Sequence, residues 1–275
     1  MVQQNTGTNR NTIDKFYTHP KVANKCIESF NTYVEVDQKN DIIIEPSAGN
    51  GSFIESLEKL CDNTRFYDIL PENEKITQKD YLTYSHNSNS KTHVIGNPPF
   101  GRQSKLAIQF IKKSAEFANT ISFILPKSFK KESLKRHFPT KFHLIFEKDL
   151  PSDSFLLNGT PYNVSCVFQI WKLKSVNRPI PLKYEPNKFR FVKKTEDYDI
   201  SFRRVGVNAG KIFKNSSSER SVQSHYFIKF DNFNEDLFSK LNTCVFEEAD
   251  WICGPKSVSK QELIKTYNTI LAIVE

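Results

Sequence analysis

The chain has 275 residues, with 39 Lys or Arg against 31 Asp or Glu and a formal net charge of +8. That length suits one sheet domain plus a smaller unit, and no apolar run reaches the length of a membrane span. The polar start Met1–Asn11 is unlike a signal peptide, the five cysteines are dispersed without a Cys-x-x-Cys pair, and the six histidines show no ligand spacing, so a reduced intracellular protein without disulfides or a metal centre is expected.

In chain order, residues 1–12 read as a disordered tail, and Lys15-Phe16-Tyr17-Thr18-His19-Pro20 follows. Ile42-Ile43-Ile44 predicts a short buried strand that ends in Glu45. Pro46-Ser47-Ala48-Gly49-Asn50-Gly51 then makes a glycine turn into a helix over 52–60, with Ile54, Leu57 and Leu60 at helical spacing. Gly49 and Gly51 permit a ligand to approach the backbone at the carboxyl edge of a parallel strand. The spacing is not G-x-G-x-x-G and no G-K-[ST] follows, so pyrophosphate binding is not indicated. An acid before such a turn suits a ligand with a cationic amino-acid portion, held by Glu45 directly or through water. Any βα turn of a doubly wound sheet is the plain alternative.

Strands are expected next over 64–67 and 93–95. The second runs through Val94-Ile95-Gly96 into Asn97-Pro98-Pro99-Phe100. The prolines fix φ and remove two N–H donors, so this loop presents carbonyls in a stiff geometry. One chemistry that uses such a loop is methyl transfer to an exocyclic amine on a flat nucleobase. That nitrogen shares its lone pair with the ring and is a poor nucleophile. Two acceptors, the Asn97 amide oxygen and the Pro98 carbonyl, can hold its two hydrogens. Phe100 can lie against the base, where stacking is worth roughly 1–3 kcal/mol. Positioning and aimed dipoles suffice. The bland reading is a turn after a strand.

A helix over 104–118, a strand over 121–125, a helix over 128–136 and strands over 142–146 and 164–171 complete the alternation. It predicts an α/β sheet with helices on both faces and an antiparallel end, followed by a small α+β unit from about residue 175. Residues 172–214 hold twelve Lys or Arg against four acids, interleaved with aromatics such as Phe189, Phe191 and Phe202. This reads as strands with one wet basic face, suited to phosphate. Within it Arg203, Arg204 and Lys211 flank a glycine-punctuated loop that suits phosphate contact, or is simply a basic hairpin. Asn215–Ser218 reads as a mobile connection. Ser259-Lys260-Gln261-Glu262 is a capping box that opens a final packing helix.

Three motifs in order, Phe16-Tyr17-Thr18-x-Pro20, Glu45-Pro-x-Ala-Gly-x-Gly51 and Asn97-Pro-Pro-Phe100, resemble the S-adenosylmethionine-dependent N6-adenine methyltransferases, in particular the DNA adenine methyltransferases with target recognition at the carboxyl end. The match covers roughly residues 13–171. The resemblance implies a Rossmann-like seven-stranded methyltransferase sheet over 13–174, a basic target-recognition domain over 175–275, S-adenosylmethionine as cofactor and DNA as partner. It implies that Tyr17 and Thr18 fold over the methionine end of the cofactor beside Glu45, Ser47, Ala48, Gly49 and Gly51. Asp68 would bond ribose hydroxyls, and Asp80, with Tyr81, the cofactor's adenine, unless the two acids are helix caps or loop acids. It further implies an aromatic wall opposite Phe100, from Phe155 or Tyr162. RNA adenine, cytosine N4, a protein glutamine or a non-catalytic nucleic-acid-binding module remain alternatives. The richness in Asn, Lys, Ile and Phe suggests an AT-rich, viral or mobile genome, and the compartment would be cytoplasm, nucleoid or nucleus.

Overall fold

A computed structural model of the chain describes residues 16–157, 159–214, 220–251 and 255–273. The expected tail over 1–12, the Asn215–Ser218 connection and Cys253 lie outside the described residues. The chain divides into two compact units, Met1–Ile180 and Pro181–Glu275. Among the described residues no helix is long and apolar enough to cross a membrane.

The first unit opens with β1 (Tyr17–Thr18) and α1 (Pro20–Tyr33), then β2 (Ile42–Glu45), α2 (Ile54–Leu60), β3 (Thr64–Asp68), β4 (Thr77–Gln78) and β5 (Thr92–Gly96). α3 (Lys105–Ser114), β6 (Thr120–Pro126), α4 (Glu132–Lys135), β7 (Phe142–Asp149), β8 (Phe155–Leu157), β9 (Thr160–Tyr162) and β10 (Cys166–Leu173) follow. Seven strands form one sheet in the order β4-β3-β2-β5-β6-β10-β7. β2, β5 and β6 are buried at every residue, which is why they read as near-continuous apolar runs and pair in parallel. β10 runs antiparallel between β6 and β7, with Val167 opposite both Leu125 and Asp149. The expected α/β sheet with an antiparallel end is therefore the observed one.

Two expectations need correction. The alternation contained no helix before the first strand, yet α1 buries Val22, Ala23, Cys26, Ile27 and Phe30 at helical spacing. Pro20 sits in its first turn and the His19 imidazole accepts from the Lys21 amide (3.2 Å), so its start signal was present. The helix expected over 128–136 breaks at Lys131, whose backbone is extended. Phe129 and Phe138 are both buried. Nine residues apart, they would point to opposite faces of one continuous helix, and the break lets both turn inward.

The second unit pairs β11 (Phe189–Val192), β12 (Ile200–Arg203), β13 (Ile212–Lys214) and β14 (His225–Phe230) in the antiparallel order β11-β14-β12-β13, with α5 (Glu235–Asn242) and α6 (Lys260–Ile273). Phe189, Ile200, Phe202 and Ile228 face Leu237, Leu263 and Tyr267 in its core. The capping box forms as the sequence predicts: Ser259 Oγ accepts from the Glu262 amide (3.1 Å), and a Glu262 carboxylate oxygen accepts from the Ser259 amide (3.4 Å).

The first unit runs to Ile180, and Arg178 is bound into it. Its guanidinium donates to the carbonyls of Pro139, Phe142, Lys135 and Phe138 at 2.6–3.1 Å, and lies over Trp171, 5.2 Å from the ring centre. A member of the basic stretch is thus consumed by carbonyls left open around a turn. Arg178→Ala should destabilise the first unit by about 2–3 kcal/mol, since those acceptors lose a charged donor. Urea unfolding should register this as a lower midpoint, and Arg178→Lys should recover only part of it, because one ammonium cannot span four carbonyls.

Candidate active site

The chain leaves β2 toward β3 on one side, while β5 pairs with β2 on the other, with Ile44 opposite Val94. A crevice opens at the carboxyl ends of strands where the order reverses. Here both marked loops, Glu45–Gly49 and Asn97–Phe100, line one cavity of about 950 Å³. Tyr17 and Thr18 of β1 line it as well, as do Asp68, Asp80 and Tyr81. The two loops are joined directly, because the Ser47 hydroxyl donates to the backbone carbonyl of Asn97 (3.1 Å).

Asn97 is held from one end only. Its side-chain nitrogen donates to the Phe16 carbonyl (3.1 Å), while its side-chain oxygen is buried with no partner among the described residues. Pro98 is buried, and Phe100 packs against the clusters on both faces of the sheet. The Phe100 carbonyl accepts from the amides of Leu106 (3.2 Å) and Ala107 (3.3 Å), which fixes the loop to the start of α3. A rigid loop thus ends in an orphaned acceptor.

On the glycine side, Gly49 is left-handed (φ 54°), and a Cβ there would meet the Tyr17 ring at 3.1 Å. Its amide donates to one Asp68 oxygen (2.8 Å), and the Leu70 amide donates to the other (2.8 Å). Asp68 therefore already pins the turn, and ribose would have to use its remaining lone pairs. Glu45 is 2% exposed, and its Oε2 has no partner among the described residues. Burial, and secondarily the charge of Asp68, push its carboxyl up to about 8.

Other expected residues carry structural roles, some of them within the cavity wall. Gly51 does not line the cavity; it turns the chain into α2 at φ 88°, where a Cβ would stand 2.7 Å from Ile54. Asp80 caps the short turn Tyr81–Thr83 by accepting from the Leu82 amide (2.9 Å) while lining the cavity. Tyr81 is mainly core: buried, hydrogen-bonded to Ser114 Oγ (2.9 Å) and stacked on Phe110. Phe155 is fully buried opposite Thr18, away from the cavity, so it cannot be an exposed wall for a base. Tyr162 is exposed and stacks on Phe16, centroids 5.1 Å apart, and Phe16 lines the cavity. Phe16 is the residue that sequence reasoning quoted but did not assign.

In the second unit, Arg203 donates to the Val205 carbonyl (2.8 Å) and Ser224 Oγ (3.2 Å). Arg204 donates to the Gln223 carbonyl (3.0 Å) and lies over Tyr226. Both guanidinia are partly spent on folding their own turn, whereas Lys211 is exposed.

A sheet in this order, with a glycine turn after β2 and a rigid acceptor loop after β5, is the frame of a methyltransferase domain, and S-adenosylmethionine is the cofactor it implies. The residues fit that cofactor: the orphaned Glu45 oxygen suits its cationic amino-acid end, and exposed Ile69 and Leu70 on the cavity wall suit a flat ring. The chain belongs to the family of the EDM2 methyltransferase-like domain, whose model matches residues 36–176. It is similar to Protein ENHANCED DOWNY MILDEW 2 of Arabidopsis thaliana, 26% identical over 182 residues, covering 61% of this chain and 14% of that protein. The chain thus spans a small part of that relative's length. Among solved structures it is similar to PH1948 of Pyrococcus horikoshii, provisionally described as an RNA methyltransferase (15% identity, 60% of this chain and 90% of that one, TM-score 0.46). It is also similar to Thermoplasma acidophilum 1320 (18% identity, 58% and 89%, TM-score 0.45).

Because Glu45 holds its proton up to about 8 in the free protein, a cationic ligand must displace that proton at lower pH. Cofactor affinity should therefore strengthen as pH rises from about 6 to about 8, with up to one proton released on binding near neutrality. Calorimetry in buffers of different ionisation enthalpy should detect that release in the wild type and none in Glu45→Gln.

Proposed function

We propose that this domain transfers a methyl group to the exocyclic N6 amine of adenine in nucleic acid, with DNA as the preferred substrate. The observation that carries the reading is the buried, unpartnered side-chain oxygen of Asn97 at the mouth of a proline-stiffened loop. An unsatisfied buried acceptor costs about 1–3 kcal/mol, so this oxygen calls for a donor that arrives with the substrate. An aromatic amine supplies one. The second amino hydrogen goes to the Pro98 carbonyl, and the base lies on Phe100. Holding both hydrogens turns the nitrogen lone pair away from conjugation with the ring and makes it nucleophilic.

When bound, S-adenosylmethionine supplies a methyl group on a positively charged sulfur. The chain's own part is to hold the amine still and orient it. Glu45, Ser47, Ala48 and Gly49 on the cofactor side, with Tyr17, Thr18, Asp68, Asp80 and Tyr81, share the cavity with the Asn97–Phe100 loop. Tyr162, stacked on Phe16, gives the incoming strand an aromatic step outside the cavity. A flipped base leaves its stack at a cost of a few kcal/mol in a duplex, and Lys211 with the accessible edges of Arg203 and Arg204 contributes phosphate contacts. DNA is preferred because the motif order followed by a basic carboxyl-terminal unit resembles DNA adenine methyltransferases.

Labelled methyl transfer to DNA and RNA pools, followed by digestion to nucleosides, should yield N6-methyladenosine or its deoxy form. N4-methylcytosine, or label in protein alone, would overturn the reading. Asn97→Ala should lower kcat by about 10²–10³ while cofactor affinity stays within a few-fold. An equal loss of cofactor affinity would move Asn97 out of the role given to it.

A further inference from the structure

Beyond Phe100 the backbone is left-handed at Gly101 (φ 67°), Gln103 (φ 55°) and Ser104 (φ 60°) before α3 begins. Non-glycine residues avoid that region, and its persistence beside a binding loop marks a segment shaped for something other than its own comfort. The product of this path is an exposed Arg102 that lines the same cavity as Pro99 and Phe100.

The charge on Arg102 is uncommitted. Its side chain forms no hydrogen bond or ion pair with a described residue, and no Asp or Glu occurs in the sequence between Asp80 and Glu116. The cavity's other lining cation is engaged, as are several elsewhere in the unit. Lys79, which also lines the cavity, lies over the Tyr67 and Tyr84 rings (5.7 and 5.2 Å). Lys127 and Lys130 both pair with Asp149 at 2.9 Å, and Lys113 pairs with Glu116 at 2.8 Å. A free guanidinium lining the same cavity as the Asn97–Phe100 loop suits an anion carried by the ligand that this loop receives. A planar fork of donors matches the oxygens of a phosphodiester.

We propose that Arg102 binds the backbone phosphate adjoining the target nucleotide, so that one turn of chain grips base and phosphate together. This deepens the nucleic-acid reading above and rests on it. Arg102 then sets the register in which the base enters, while Asn97 and Phe100 act on the base itself.

The test is equilibrium binding of the full chain to single-stranded DNA and RNA pools across a salt series, for the wild type, Arg102→Ala, Arg102→Lys and Lys112→Ala. Lys112 is an exposed cation further along α3 and serves as the control. Arg102→Ala should weaken binding several-fold at low salt and reduce the slope of log affinity against log salt by roughly 0.7, the loss of one phosphate contact on a single strand. Arg102→Lys should keep most of the slope, and Lys112→Ala should leave it unchanged. Cofactor affinity, measured separately, should be the same in all four proteins, which also verifies folding. An unchanged slope in Arg102→Ala, or an equal change in Lys112→Ala, would overturn the contact while leaving the base-directed reading intact. A wild type that neither binds nor methylates either pool would bring down both.

Discussion

The parallel pairing of β2 with β5 is the constraint on which the rest depends. It sets two strand ends side by side, and the Ser47 hydroxyl joins the loops that leave them by donating to the Asn97 carbonyl at 3.1 Å. Neither loop could form half of a cavity without that adjacency. The sheet supplies it through a parallel ladder that pairs Ile42, Ile43 and Ile44 with Thr92, His93 and Val94 in two strands buried along their whole length.

Around this junction the polar groups fall into two kinds. Asp68 accepts one backbone amide at each oxygen and acts as a fastener for the glycine turn. Glu45 and Asn97 each retain an oxygen without a partner among the described residues, one on a carboxyl that burial keeps protonated up to about 8 and one on an amide, and both line one cavity. The difference matters chemically. A raised carboxyl favours a ligand that brings positive charge, whereas a neutral amide oxygen favours one that brings only a polarised N–H. The cavity thus offers acceptors of two different chemical characters.

Much of the sheet was legible because its central strands are short, apolar and β-branched and are punctuated by proline and glycine. The loops that meet in the cavity were legible for the same reason, as residues whose backbone roles are strict. What escaped was built from long-range pairing. β1 has two residues and no periodicity, and it exists because Tyr17 and Thr18 pair with Leu156 and Phe155. That pairing buries Phe155, so an aromatic that looked available in a loop belongs to the core. Phe16, by contrast, contributes a main-chain carbonyl to Asn97, and no side-chain pattern could reveal such a role. Gly51 and Tyr81 carry packing roles that the motifs do not reveal: Gly51 turns the chain into α2, and Tyr81 is buried against Phe110 while also lining the cavity.

The anchoring of Asn97 has a consequence for how this domain is made. The carbonyl that orients the amide sits next to β1, and β1 is stapled down by β8, well over a hundred residues later. During synthesis the glycine turn and the proline loop emerge long before the segment that aligns them. A ribosome-bound fragment would thus carry both halves of the cavity with the amide unaligned, and competence would arrive late, in one event, when Phe155–Leu157 docks.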